Sequence, residues 1–315
     1  MDLRIVMADP AGNRTAIVRT PVPAALRAQT AARIMEIEDL RAEQVGFEVL
    51  PHLGGAGRLE MMGGEFCGNA ARSYGYLLCT ERTERPDKIE KTGEINENEK
   101  RKKTSSLEKK HPFPEREILI EISGHSGLLK VDCEFPDISF AEMPVPDRID
   151  FSAEGYPLVI SEGITHMILE NRDPDPDLVR TYVDRYGHGF DAFGMMFLCG
   201  DRLTPVVYVR EAGSLVYESS CGSGSLAAAW YLAQRKQKQP QSRLGSSAGT
   251  GLDASAGTEH PADRRRQRGK GTFVYTFREP GGSISVRLQE DREGRLRGSM
   301  GGFVRIEKEI TVQVL

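Results

Sequence analysis

Gly63-Gly64-Glu65-Phe66-Cys67-Gly68-Asn69-Ala70-Ala71-Arg72 is the stretch on which the reading of this chain turns, because a second segment far downstream repeats its pattern: Glu218-Ser219-Ser220-Cys221-Gly222-Ser223-Gly224-Ser225. In each, a cysteine is followed by glycine and a small polar residue. Then comes a helix-forming run, with Ala70, Ala71, Tyr74, Leu77 and Leu78 in one copy and Leu226, Ala229, Trp230 and Ala233 in the other recurring at helical spacing. Both read as a thiol at the mouth of a helix. Small residues in a first turn let a ligand approach the free amides, and a polar side chain there can cap them. A helix N-terminus carries partial positive charge and unpaired N–H donors, so each cysteine is expected to be biased toward thiolate beside an anion such as a carboxylate. A lone Cys-Gly would read as a small hydrophobe starting a core helix. Two copies in matching surroundings favour chemistry.

Outward from these segments, the 315 residues, 39% of them hydrophobic, allow two modest cores. A net charge of -4 with mixed signs gives no case for nucleic acid or an anionic membrane surface as partner. The Met1-Asp2-Leu3-Arg4 start has no signal-peptide apolar run and no stretch reaches the length of a membrane span, so a cytoplasmic protein is expected. The cysteines at 67, 79, 133, 199 and 221 have neither disulfide-framework nor zinc spacing. Cys79, Cys133 and Cys199 read as packing residues; no metal site is expected.

Strands are expected at 3–7, 16–18, 45–50, 57–62, 118–122, 127–131, 158–160, 165–169, 192–198, 206–209, 273–277, 283–288 and 306–314, with helices at 24–43 and 178–186. Strands, one helix and then a cysteine segment occur twice, the mark of a duplicated α/β unit. Pro144-Val145-Pro146 is the preferred boundary, giving halves of 1–145 and 146–297, with 298–315 supplying closing strands that return to the first half. Charged residues dominate about 81–113, and Gln, Ser, Gly and Arg dominate about 235–271. Each follows a cysteine helix and reads as a surface insertion with too little apolar content to offset its ordering entropy.

The Cys-Gly-Asn and Cys-Gly-Ser-Gly segments, the Gly12-Asn13 turn and Gly163-Ile164-Thr165-His166 together resemble the diaminopimelate epimerase family of cofactor-independent amino-acid racemases and epimerases. Within it, Gly-Gly-Glu-Phe-Cys-Gly-Asn and Glu-Ser-Ser-Cys-Gly-Ser-Gly are similar to the histidine racemase branch that serves staphylopine-type metallophores. The resemblance covers most of the chain outside the insertions. It implies an α/β (α+β) protein of two similar domains, each a mixed sheet or barrel wrapped round a central helix, with an amino acid clamped between them. It implies Cys67 and Cys221 facing each other across the α carbon as the acid/base pair, with no cofactor, and it brings the expectation of a homodimer.

On that resemblance one thiolate removes the α proton while the opposed thiol donates its own. The working assignment gives Cys67 the L form and Cys221 the D form. His166 aligns with the family histidine near the thiols, although a strand-end histidine bonded to backbone would look the same. Glu218 or Glu65 is a candidate to polarise a cysteine as general acid/base, and Glu218 reads equally as a plain helix cap. Asn13, Glu65, Gly68, Asn69, Gly222 and Ser223 are the candidate substrate-binding residues, the backbone donors among them facing the carboxylate. Diaminopimelate epimerases carry Asn-Pro before the histidine and a further asparagine downstream; here Ile164-Thr165 and Met195-Met196 stand in those places, and Arg210-Glu211 reverses the Glu-Arg pair. A site without those polar groups points away from diaminopimelate, the nearest alternative substrate, and toward a flatter side chain such as imidazole. A thiol-pair redox sensor is the competing reading of another class.

Overall fold

The computed structural model describes residues 1–84, 117–134, 136–211, 213–238, 271–293 and 295–314. The first part of the chain forms β1 (Asp2–Asp9), β2 (Thr15–Val18), α1 (Ala24–Met35), β3 (Gln44–Val49), β4 (Arg58–Met61) and α2 (Gly68–Glu84). Five strands follow: β5 (Glu117–Ile122), β6 (Leu129–Glu134), β7 (Ile138–Met143), β8 (Arg148–Phe151) and β9 (Pro157–Ser161). Then come β10 (Ile164–Glu170), α3 (Pro176–Tyr186), β11 (Ala192–Cys199), β12 (Arg202–Val209), β13 (Ser214–Tyr217) and α4 (Gly222–Lys238). The chain closes with β14 (Thr272–Glu279), β15 (Gly282–Glu290), β16 (Leu296–Phe303), β17 (Arg305–Ile306) and β18 (Ile310–Gln313).

Alternation along the strands explains why so many of them read as unbroken apolar runs. Successive side chains of a strand point to opposite faces. In β1, Val6 and Ala8 turn toward α2 while Leu3, Ile5 and Met7 pack with Ala31 and Ile34 of α1. In β11, Met196 and Leu198 join the core around α4, whereas Phe193, Met195 and Phe197 pack with Val179 and Val183 of α3. Strands buried on both faces lose the polar half of the alternation.

The strands pair into one large mixed sheet that curls round the two cysteine helices. β1 to β7 pair in sequence, β7 pairs with β16, and the chain passes from β16 directly into β17, which pairs with β1. That closes a ring, and α2 packs inside it against β5, β6 and β7. From β16 the sheet runs on through β15, β14, β12, β11, β10, β9 and β8, with α4 packed against β15, β16 and β11. The final segment, β17 and β18, lies along β1.

Several expectations are corrected. The helix expected over 24–43 ends at Met35, because Leu40 turns back into the outer core and Arg41 takes a left-handed φ of 46° that no helix continues. The strand expected over 306–314 is broken between β17 and β18. Residues 81–84 continue α2 and 235–238 continue α4, so those parts of the expected insertions are helix; the remainder, 85–113 and 239–270, falls outside the described residues. Strands β7, β8, β13 and β16 were not anticipated. Cys79 of α2 is buried against Cys133 of β6, but Cys199 is partly exposed. Among the described residues no helix is long and apolar enough to cross a membrane.

Candidate active site

Each cysteine is the N-cap of its helix. The Ala71 amide donates to the Cys67 carbonyl at 2.9 Å and the Ala70 amide to Cys67 Sγ at 3.4 Å. The Ser225 amide donates to the Cys221 carbonyl at 2.9 Å and the Gly224 amide to Cys221 Sγ at 3.4 Å. A thiol thus occupies, twice, the place where a serine or aspartate side chain ordinarily accepts the first-turn amides. The glycines that follow lie close under two methionines: a Cβ on Gly68 would lie 2.6 Å from Met143 Sδ, and one on Gly222 would lie 2.3 Å from Met300 Cε, so either methionine would have to move.

The two N-termini are joined directly. Asn69 Nδ2 donates to Ser220 Oγ at 3.1 Å, while Asn69 Oδ1 accepts from Arg72 Nε at 3.2 Å. Arg72 is fully buried and also donates through Nη1 to the carbonyls of Gly302 and Phe303 at 3.1 and 2.9 Å, reaching the end of β16. Its Nη2 has no partner among the described residues. Burial lowers its pKa to about 10, opposed by the attraction of Cys67, Glu279 and Asp9. Hydrogen bonds to a charged group contribute about 1.5–3 kcal/mol each, which only offsets the several kcal/mol that burying a cation costs. Arg72 therefore organises this junction more than it stabilises the fold.

Around Cys221 the groups are carboxyls and a histidine. Cys221 Sγ lies 3.5 Å from Ser223 Oγ, which lies 3.3 Å from His166 Nε2. His166 therefore reaches the thiol through a serine and not by direct contact. It is fully buried, its Nδ1 has no partner among the described residues, and burial lowers its pKa to about 4, so it is a neutral imidazole. Glu218 interacts electrostatically with the Cys221 thiol; burial raises its own pKa to about 7. Met196 packs its Sδ against Gly224, but Met195 belongs to the outer core and does not reach this turn. Arg210 is paired with exposed Asp191 at the surface.

Asn13 is brought in by a backbone contact. Gly12 has a φ of +86°, and a Cβ there would lie 2.5 Å from Gly281 Cα, so the early turn sits against the turn that donates from the Gly281 amide to the Ser219 carbonyl at 2.7 Å. Asn13 Oδ1 accepts from Gln44 Nε2 at 2.5 Å, and Gln44 also donates to Thr15 Oγ1 at 2.8 Å while favouring the anion of the Cys67 thiol. Glu43 accepts from both Asn13 and Ser219. Glu65 lies apart from these interactions, exposed on the loop before Cys67, where its charge opposes ionisation of that thiol.

Desolvation runs against the expected thiolate bias. Burial pushes the partly exposed Cys67 up, outweighing donors from Ala70, Gln44 and Asn69. Cys221 is buried and pushed well above its ordinary value, by burial and then by Glu218 and Glu279. A half-charge at a helix end does not compensate for loss of water around a sulfur anion. Arg72 and Glu279 were missed by the sequence reading. Arg72 has a signal, a single charge within the helix stripe from Ala70 to Tyr74. So does Glu279, which continues the inward register of Phe273, Tyr275 and Phe277 in β14.

A family model described as the histidine racemase CntK N-terminal domain matches residues 2–267. The chain is 32% identical over 257 residues to a histidine racemase of Fusobacterium nucleatum subsp. nucleatum, a match spanning 74% of this chain and 82% of that protein. It is 26% identical to the histidine racemase of Staphylococcus aureus over 69% of this chain and 75% of the relative. Among solved structures, a Bacillus anthracis phenazine biosynthesis protein of the PhzF family superposes with a TM-score of 0.58 at 12% identity, covering all of both chains. A hydroxyproline epimerase from Agrobacterium vitis with bound trans-4-hydroxy-L-proline gives 0.53 at 12% identity, covering 99% of this chain and 92% of that one. At such identities these two speak to the fold alone.

Proposed function

The chain belongs to the histidine racemase family and is an isomerase of the racemase/epimerase kind, and from that premise we propose that it interconverts L- and D-histidine by proton transfer between Cys67 and Cys221. The observation that carries the reading is the Asn69–Ser220 bond, which ties together two helix N-termini that each present a capping thiol. First-turn amides of a helix have no intrahelical acceptor, so those at Gly68, Asn69, Gly222 and Ser223 are the donors for the substrate carboxylate.

An α proton is far less acidic than any side chain, so its removal needs a base on one face and charge stabilisation on the carboxylate. One thiolate takes the proton, the opposed thiol gives its own to the other face, and the thiolate ends on the opposite side with the substrate inverted. Arg72, electrostatically coupled to Cys67, favours the anion there. Glu218 exchanges a proton with Cys221, and Ser223 with His166 behind it orients that thiol. Asn13, with Gln44 as intermediary, borders the substrate on the Cys67 side. The resemblance to the staphylopine branch extends the reading to supplying D-histidine for a metallophore.

The test is to incubate the reduced protein with a panel of L-amino acids in heavy water and follow α-deuteration by NMR. Deuteration of histidine and not of diaminopimelate is expected. Exchange of diaminopimelate alone, or of no amino acid, sinks the reading.

A further inference from the structure

Behind Cys221 stands a carboxyl that the scheme above does not use. We propose that Glu279 is a positioning residue for Cys221: it clamps the first turn of α4 and, as the acid seated behind this thiol, keeps the proton on Cys221 and leaves Cys67 as the thiol that gives its proton up first. The inference rests on the two-thiol reading and adds a direction to it.

The clamp is geometric. Glu279, at the end of β14 and only 7% exposed, accepts the Cys221 amide on Oε2 at 2.6 Å, and its Oε1 takes a short bond from the Ser225 hydroxyl. Both oxygens are thus spent on the turn that carries Cys221, one on the cysteine's own backbone. Among the described residues no carboxylate occupies this place at the equivalent turn of α2; its side-chain contacts run from Asn69 to Arg72 and Ser220.

Charge follows the same asymmetry. The groups facing Glu279 are Glu218, Arg72 and the Cys221 thiol. Burial raises Glu279 to about 8, with Glu218 adding to the rise and Arg72 opposing it. Cys221 is pushed well above its ordinary value, so the carboxyl ionises before the thiol, and an ionised Glu279 then holds the proton on Cys221. Cys67 faces the Arg72 cation, with Glu65 opposing it from the exposed loop before α2.

The experiment reads each thiol separately. Initial rates of iodoacetamide alkylation at Cys67 and Cys221, followed peptide by peptide by mass spectrometry from about pH 6 to about pH 10, report each thiolate. In the unaltered protein the Cys221 profile is expected to rise at higher pH than that of Cys67. Glu279→Gln keeps a carbonyl for the Cys221 amide and removes the ionisable proton. Its Cys221 profile should move to lower pH, with alkylation at about pH 9 faster by roughly threefold or more, while Cys67 is unmoved. A merely structural clamp would not shift one thiol's profile.

An unchanged Cys221 profile in a folded Glu279→Gln protein overturns the proposal. So does an unaltered protein in which Cys67 ionises above Cys221, an outcome that needs no variant. Alkylation requires no turnover, so failure here is distinct from absence of α-deuteration, which counts against the racemase reading.

Discussion

The side-chain amide of Asn69 donates to the hydroxyl of Ser220 across 151 positions of sequence, joining the second residue after one cysteine to the residue before the other. Its other end holds Arg72, so one buried side chain connects α2, α4 and, through Arg72, the last turn of the ring at Gly302 and Phe303. Asn69→Ala leaves a hydroxyl and a guanidinium N–H without partners. Each unsatisfied buried group costs about 1–3 kcal/mol. A lowered melting temperature is expected, together with a loss of racemisation of about 100-fold, since displacement of the reacting groups by an ångström has that effect. Wild-type turnover in a folded Asn69→Ala protein would show that the junction does not set the thiols.

Cys67→Ser and Cys221→Ser are each expected to abolish racemisation, by about 1000-fold or more, because a hydroxyl at these positions neither ionises nor donates comparably. Each variant should retain its circular dichroism spectrum, since serine caps a helix as well as cysteine does. Wild-type turnover in either refutes the two-thiol mechanism.

Gly224 is in the first turn of α4, where an added Cβ would lie 2.2 Å from Met196 Sδ and 3.2 Å from Cys221 Sγ. Gly224→Ala is expected to cost about 1–3 kcal/mol of stability by overpacking, and to depress turnover by shifting the thiol. Shortening the obstructing side chain in the double variant Gly224→Ala/Met196→Ala should restore more activity than stability, because Met196 is itself core. Chemical denaturation and initial rates on the same preparations separate the two effects. No relief in the double variant argues against the contact as the cause.

His166 gives a pH dependence of defined sign. Its pKa in the folded protein is about 4, below the ordinary 6.5, because burial disfavours the cation. Between these values the unfolded chain binds a proton that the native chain does not, so the stability contribution is complete above about pH 6.5 and is lost as the pH falls toward 4. The difference in unfolding free energy between the wild type and His166→Asn should therefore shrink by on the order of 1–3 kcal/mol over that interval. Parallel stability curves for the two proteins would sink this account.

How far the sequence reached is clearest at the paired cysteine segments. Residue spacing alone placed Cys67 and Cys221 ahead of helices, because cap position and helical periodicity are local properties that the chain carries wherever it folds. The apolar runs located most strands for the same reason. Strands β8, β13 and β16 are not legible in the sequence because exposed or glycine-containing segments such as 296–303 lack that pattern, and their identity depends on the neighbour they pair with. Tertiary structure alone decided that Asn69 meets Ser220, that Glu279 sits behind Cys221 and that Arg72 is buried against the end of β16. It also sets desolvation against the expected ionisation of the thiols. A helix end offers both cysteines the same local field, but desolvation and the carboxyls brought in by β14 and the segment before α4 differ between them. Those terms come from residues distant in sequence, and they outweigh the local one.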